Sequence, residues 1–269
     1  MTIHAEVIGD PISHSKSPAI HRFWIDAVGL DADYRAVHVT PDRLGDYIAA
    51  ARDNADWRGC NVTIPHKIDV MQFVDDPGGI RDTIGAMNTI LRQSDGSVIG
   101  TNTDAAGFYA PLAKFDLEGA PVAVIGAGGA ARAVLFALAR AGVERVTIFN
   151  RSPLKAMGLL ATFGLKGDIV PLDAPLPPVA LLVNASSLGM VGQPPLDLDL
   201  SPLPDDAVVY DAVYAPLETG LLAAARARGL ETVDGLEMLI GQAAVAFELF
   251  FGQAPPRERD AELRALLTA

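Results

Sequence analysis

The sequence predicts an α/β protein built on parallel sheets, and two stretches carry that prediction. Between residues 3 and 67, strand-like apolar runs alternate with helical patterns. From 122 to 149, an apolar run, a glycine-rich turn, an alanine-rich helix and a second apolar run follow one another without interruption. With 269 residues, half of them hydrophobic, the chain can bury one large core or two of ordinary size. Lysine and arginine total 21 against 33 aspartates and glutamates, a net charge of −12, which argues against nonspecific binding to nucleic acid or to an anionic membrane. The single cysteine, Cys60, excludes an intramolecular disulfide and a multi-cysteine metal site. Its apolar strand context reads as a packed core thiol in a reducing compartment. The opening MTIHAEVIGD has no basic segment followed by an apolar one, and no run approaches 18 apolar residues, so the expectation is a cytoplasmic protein.

Residues 3–8 form the first strand, closed by Gly9-Asp10-Pro11. Ser17 before Pro18 reads as an N-cap with proline at the first helical position, opening a helix through Ile20, Phe23, Trp24 and Ala27. Ser15 and Ser17 would set two hydroxyls beside the free N–H groups of that terminus, a cradle for a carboxylate; as a cap alone, Ser17 needs no further role. Residues 34–39 read as a strand, 41–53 as a helix, and 57–63 as the strand that delivers NVTIPHK, residues 61–67. Pro65 there opens a helical turn and Lys67 falls in it, where the helix dipole disfavours a cation by a few tenths of a kcal/mol. Such a lysine either reaches solvent or works as an acid or base, and strand ends of α/β proteins are where ligands gather. Two further strands, 87–92 and 98–102, are joined by a turn around Asp95-Gly96. Asp104 then caps a helix over 105–115, while Asn88 reads as a strand-end amide.

The stretch 121–151 carries the most readable chemistry. Its turn, Gly126-Ala127-Gly128-Gly129-Ala130-Ala131, has the dinucleotide spacing: Gly126 permits the tight turn, Gly128 lets the backbone approach a pyrophosphate, and Ala131 lets helix and strand pack closely. After the second strand an NAD reader would show an acid for the ribose 2′-hydroxyl. This chain has Asn150 and Arg151, with Lys155 four residues on, which suits the 2′-phosphate of NADP. Further strands are expected at 180–184, 208–213 and near Thr232, with surface loops at 171–178 and 192–204. Helices at 217–228, 236–251 and 258–267 end the chain. The middle one is apolar around most of its circumference, with Gln242 the polar exception.

Taken together, these motifs resemble those of the shikimate dehydrogenase family and run in its order: SHSKSP at 13–18, NVTIPHK at 61–67, GAMNT at 85–89, NTDAAGF at 102–108, GAGGAARA at 126–133, NR at 150–151, YAPLET at 214–219 and DGLEMLIGQA at 234–243. The resemblance implies an N-terminal α/β substrate domain (1–103 with 236–269, the last helices returning to it) and a doubly wound, Rossmann-type NADP domain (104–235), with substrate in the cleft between them. It implies Ser15 and Ser17 as the carboxylate clamp and Asn61, Thr63, Asn88, Asp104 and Gln242 as contacts to the ring hydroxyls and reacting oxygen. Lys67 and Asp104 form the implied catalytic pair, with Tyr214 and the backbone near Gly235 and Met238 beside the nicotinamide. The implied reaction is reversible hydride transfer between NADPH and the C3 ketone of 3-dehydroshikimate, within aromatic amino acid biosynthesis. No metal is called for, since Lys67 already supplies the polarising cation. The implied partner is the small-molecule substrate, in a monomer or homodimer.

Two departures from the family pattern stand out. Lys155 replaces an arginine, giving a point charge without a planar fork, and Ser186 replaces a threonine. A quinate/shikimate dehydrogenase of broader cofactor range would share every site residue, but would tend to carry an acid where Asn150-Arg151 stands. A non-catalytic NADP-binding relative would be expected to lack Lys67 or Asp104. A folate- or tetrapyrrole-pathway reductase of similar plan would not need the Ser15/Ser17 clamp.

Overall fold

In the computed structural model, which describes residues 2–269 apart from the side chain of Lys155, the chain divides into two units, Met1–Thr103 with Ile240–Ala269, and Asp104–Leu239. The first unit opens with β1 (Ile3–Gly9), α1 (Ser17–Val28), β2 (Ala32–His38), α2 (Leu44–Arg52) and β3 (Trp57–Val62). β1 lies between β2 and β3, parallel to both, and its Ala5, Val7 and Ile8 are buried because helices or loops cover both faces. Glu6 interrupts that apolar run and is matched in register by Arg35 of β2, 2.7 Å away, and by the Tyr47 hydroxyl from α2. After the short α3 (Ile80–Thr83), β4 (Thr89–Arg92) and β5 (Val98–Thr101) complete the sheet in the order β2-β1-β3-β4-β5. The last two run antiparallel, as the turn at Asp95-Gly96 requires. Cys60 lies in the core with Ile48, Trp57, Met87 and Ile90, and burial pushes its thiol well above the usual range.

Two local expectations are corrected here. Ser17 is not the cap of α1 but its first residue, with Lys16 at the cap position; the Ser15 hydroxyl accepts the Ser17 N–H at 3.3 Å and so takes the role expected of Ser17. Lys67 does not enter a helix. Residues 64–68 form successive turns leading into a 3-10 segment, Asp69–Phe73, and the Lys67 carbonyl accepts the Met87 N–H at 2.7 Å instead of continuing a helical ladder. The helix-dipole argument therefore does not apply to it.

The second unit begins with α4 (Asp104–Tyr109), shorter than the expected 105–115 because Pro111 lacks an N–H and the chain tightens to 3-10 at Ala110–Leu112. Then follow β6 (Pro121–Ile125), α5 (Gly129–Arg140), β7 (Arg145–Phe149), α6 (Pro153–Ala156), α7 (Leu159–Thr162), β8 (Lys166–Val170), β9 (Leu181–Asn184), β10 (Val208–Asp211), α8 (Gly220–Ala227) and β11 (Glu231–Val233). All six strands are parallel, in the order β11-β10-β9-β6-β7-β8, a doubly wound sheet whose order reverses between β6 and β9. Val122 and Val124 face one hydrophobic core while Ala123 and Ile125 face another, which is why β6 is apolar throughout. β8 and the short α6 and α7 are additions to the sequence reading, since an edge strand reading KGDIV lacks the apolar run that marks the others. α8 starts at Gly220, not 217, because the Thr219 hydroxyl caps it by accepting the Leu222 N–H at 3.2 Å.

The division between units falls inside α9 (Gly235–Phe251). The later part of α9 and α10 (Asp260–Thr268) belong to the first unit, where α10 packs on α1 and the Lys16 ammonium donates to the Leu267 carbonyl at 2.6 Å. α10 begins at Asp260, after a 3-10 turn at Arg257–Arg259, two residues later than expected. Among the described residues, no helix is long and apolar enough to cross a membrane.

Phe247 and Phe250 of α9 join Trp24 and Tyr34 around His21, whose ring stacks on Tyr34 at 3.9 Å. His21 is fully buried, neither ring nitrogen has a hydrogen-bond partner among the described residues, and burial lowers its pKa from 6.5 to about 3. The folded imidazole thus stays neutral where the unfolded one charges. Below pH 6.5 the unfolded state binds the extra proton, so this contribution to stability is complete above 6.5 and is lost as pH falls toward 3. The loss reaches about 2 kcal/mol by pH 5. Urea titrations of His21→Phe and the parent chain at pH 7 and 5 are expected to show a pH dependence smaller by that amount in the variant; equal slopes would mean that His21 carries a proton in the folded protein.

Candidate active site

Asn88 sits at the start of β4, buried among side chains from four places in the first unit. Its Oδ1 accepts the Thr103 N–H at 2.7 Å and the Thr89 hydroxyl at 3.1 Å. Its Nδ2 donates to the Thr103 hydroxyl at 2.9 Å and to Gln242 Oε1 at 3.3 Å. A backbone N–H can only donate, so Thr103 fixes which end of the Asn88 amide is oxygen, and that in turn fixes Gln242. Asn61, at the end of β3, is oriented in the same way. Its Oδ1 accepts the Tyr34 hydroxyl at 2.7 Å, and its Nδ2 donates to the Thr89 hydroxyl at 3.0 Å and the Asn88 carbonyl at 3.3 Å. Burial raises the Tyr34 phenol well above its usual range, which keeps it a donor.

The structure therefore brings Asn61, Asn88 and Gln242 into one polar cluster. It adds Tyr34, Thr89 and Thr103, which sequence reasoning missed. Thr89 and Thr103 were legible in principle, as the hydroxyls flanking the amides of GAMNT and NTD. Tyr34 was not, because it reads as an ordinary strand aromatic.

Thr63 follows β3 directly and is half-buried, its methyl so close to Gly9 that a Cβ there would lie 2.6 Å from it. Lys67 is half-buried in the turn at 64–68, flanked by the exposed Ile64 and Ile68, and its carbonyl bond to Met87 joins that turn to the segment carrying Asn88. His66 anchors the same turn from inside, its Nε2 lying 2.6 Å from the Val39 carbonyl. Ser15 and Ser17 stand at the start of α1, and no described hydrogen bond ties their side chains to the Asn88 cluster.

In the second unit, the glycine-rich turn leaves the end of β6 beside the point where strand order reverses. Gly126 has φ +107°, and a Cβ on it would lie 3.1 Å from the Ala185 carbonyl oxygen. A Cβ on Gly128 would meet none of the described residues within 4 Å, so its backbone is open to approach from outside. Gly129 and Ala130 begin the twelve-residue α5, whose first-turn N–H groups have no helical acceptors, and Ala131 is fully buried against the sheet. After β7, Asn150 shapes the turn through its N–H to Val170 and its Nδ2 to the Ser152 carbonyl at 2.8 Å, leaving Arg151 exposed. The Lys155 side chain lies outside the described part of the structure. Tyr214 is half-buried, and burial raises its phenol pKa. Gly235 is pressed against backbone, since a Cβ there would lie 2.5 Å from both the Ala212 and Val213 carbonyl oxygens. Met238 is buried in the core, and Asp104 is buried at the start of α4. Open backbone at Gly128, a free helix terminus and a cation without a carboxylate after β7 fit a 2′-phosphorylated dinucleotide.

Fold and site together define a dinucleotide-dependent α/β oxidoreductase. Three family profiles match in succession: "Shikimate dehydrogenase substrate binding domain" at residues 7–90, "Shikimate / quinate 5-dehydrogenase" at 111–175, and "Shikimate 5'-dehydrogenase C-terminal domain" at 235–262. The chain is 77% identical over 265 residues to the shikimate dehydrogenase (NADP(+)) of Sphingopyxis alaskensis, covering 98% of this chain and 97% of that one. Among solved structures it resembles shikimate 5-dehydrogenase of Thermus thermophilus in complex with NADP(H) and shikimate (TM-score 0.86, 37% identity, 98% and 99% of the two chains). It also resembles quinate dehydrogenase of Corynebacterium glutamicum in complex with NAD (TM-score 0.87, 31% identity, 98% and 99%). The chain belongs to the shikimate dehydrogenase family.

Asn88→Ala leaves the buried Thr103 N–H without its acceptor and takes one donor from Gln242 Oε1. It is expected to lower stability by about 1–3 kcal/mol in denaturant titrations, whereas a loss below about 0.5 kcal/mol would mean that water replaces the amide.

Proposed function

We propose that the chain interconverts 3-dehydroshikimate and shikimate with NADP(H), a step of aromatic amino acid biosynthesis, using Lys67 and Asp104 to handle the proton. The observation that carries this reading is the Asn88 cluster, a set of buried amides with fixed polarity in the same unit as Lys67, in a chain that also has an open dinucleotide turn. We assign the unit Met1–Thr103 with Ile240–Ala269 to the substrate and Asp104–Leu239 to the cofactor.

Bound NADPH supplies the hydride that reduces the C3 ketone. Lys67, as the ammonium, stabilises the negative charge growing on the C3 oxygen and donates its proton there; in the oxidative direction it accepts that proton. Asp104 orients Lys67 and the substrate hydroxyl. The Ser15 and Ser17 hydroxyls hold the substrate carboxylate, while Asn61, Thr63, Asn88 and Gln242 bind its hydroxyls, the three amides each presenting one donor–acceptor polarity because their neighbours forbid the flip. The turn from Gly126 to Ala130 cradles the pyrophosphate, Asn150, Arg151 and Lys155 receive the 2′-phosphate, and Tyr214 with the backbone at Gly235 and Met238 lies beside the nicotinamide.

A second reading, turnover of quinate, is favoured by the likeness to the quinate dehydrogenase and by the profile matching residues 111–175. Against it stands the cation after β7, where that enzyme's NAD would call for an acid. Initial rates with shikimate and quinate, each with NADP and NAD, separate the two. Rapid turnover confined to shikimate with NADP is expected, and comparable rates with quinate or NAD would favour the second reading. Lys67→Ala should lower kcat by about 10²–10⁴-fold with the KM for NADP little changed, and a kcat within about threefold of the parent would remove Lys67 from the proton step. Arg151→Ala should raise the KM for NADP about tenfold while leaving that for NAD unchanged, and equal shifts for both cofactors would place Arg151 away from the 2′-phosphate.

A further inference from the structure

Asp211 ends β10 with a fully buried carboxylate that none of the roles above uses. Both of its oxygens are engaged. Oδ1 accepts Asn184 Nδ2 at 2.9 Å and the Val213 N–H at 3.0 Å, and Oδ2 accepts the Thr219 hydroxyl at 2.7 Å. The donors come from two connections: Asn184 from the one after β9, and Val213 and Thr219 from the start and the end of the one between β10 and α8. Asn184 closes β9 and shapes the segment after it, accepting the Ser186 N–H at 3.1 Å and the Ser186 hydroxyl at 2.7 Å while donating to the Leu188 carbonyl at 3.0 Å. Val213 immediately precedes Tyr214, and Thr219 caps α8.

One carboxylate thus ties together the ends of two adjacent parallel strands and the helix that follows them. Those strand ends are where open α/β sheets bind ligands. Gly235 presses on the same stretch, its α-carbon so near the Ala212 and Val213 carbonyls that no Cβ fits. Beside the carboxylate lies a cavity of about 200 Å³, which Gly189, Gln193 and Thr219 also line. The cavity borders the carboxylate and the Thr219 cap, so on that side Asp211 is held by its hydrogen bonds, while the 212–214 segment is held by the Val213 N–H bond together with the close approach of Gly235. A carboxylate suits the place because three donors converge on it. An amide there would offer one acceptor oxygen and turn its N–H group toward the Thr219 hydroxyl, which would have to give up donating to residue 211 and accept instead.

We propose that Asp211 is a positioning residue for the nicotinamide half of the dinucleotide site, fixing the 185–188 and 212–214 segments through Asn184, the Val213 N–H and Thr219. The proposal rests on the reading of Tyr214 and Gly235 as nicotinamide neighbours. It separates the two halves of the cofactor, since no described hydrogen bond joins Gly128, Asn150 or Arg151 to the Asp211 network.

The test is equilibrium binding of NADP+ and of adenosine 2′,5′-bisphosphate, which carries only the adenine end, to the parent chain, Asp211→Asn, Thr219→Val and Thr219→Ser. Asp211→Asn and Thr219→Val are expected to weaken NADP+ by about fivefold or more and to leave the bisphosphate within about twofold, with Thr219→Ser close to the parent. Kinetically, the KM for NADP should rise by the same factor while that for shikimate stays within about twofold. Equal weakening of both ligands, or a lower melting temperature with unchanged NADP+ affinity, would overturn the proposal by showing a purely structural role. Thr219→Val keeps the carboxylate and serves if Asp211→Asn does not fold. Failure of the parent chain to turn over shikimate would sink the proposed function, whereas the binding comparison would still read the role of Asp211.

Discussion

The first unit depends on the cost of burying an amide. An asparagine taken out of water must have its oxygen and its nitrogen both matched, and an unmatched buried polar group costs about 1–3 kcal/mol. Asn88 meets that demand with a backbone N–H, two hydroxyls and a glutamine drawn from β4, the end of β5 and α9. Because each partner is itself committed, the cluster has one hydrogen-bond polarity, and the strands that carry it have one register. In the proposed function, the same restriction makes the cluster selective. Groups that cannot flip present a fixed pattern of donors and acceptors to whatever binds beside them, and a ligand of the wrong polarity leaves them unmatched.

The second unit solves a different problem, bringing a backbone close to an anion. Parallel strands end on one side of a sheet, so β6, β7, β9 and β10 deliver their following turns to the same edge. At that edge small residues stand where contact is closest. Gly126 passes the Ala185 carbonyl, Gly235 passes those of Ala212 and Val213, and Gly128 is left open on its outer side. The buried carboxylate of Asp211 is the counterpart of these absent side chains. Where glycine removes bulk, Asp211 supplies the hydrogen bonds that keep the thinned segment in place.

Sequence reading erred where helices begin and end, and for a common reason. Ser17, Lys67 and the start of α8 were placed from local propensity, which ranks residues for a cap or a first turn but does not know which neighbour arrives. Ser15 reached the Ser17 N–H first, Met87 took the Lys67 carbonyl, and Thr219 formed its cap with one face already held by Asp211. β8 escaped notice because an edge strand needs only one neighbour and can remain polar, so KGDIV shows no apolar period.

The sequence by itself determined the α/β class, the glycine-rich turn with its strand and helix, the cation after β7, and the identities of Asn88 and Gln242 as polar residues in apolar surroundings. These are legible because they rest on composition and period within about 30 residues of chain. Tertiary structure alone decided that Asn88 and Gln242, 154 residues apart, share a hydrogen bond, that Tyr34 orients Asn61, and that Asp211 joins two strand ends to a helix. The physical reason is the nature of the hydrogen bond: it requires two groups within about 3 Å in a set direction, and for residues far apart in sequence only the packed sheet brings them there.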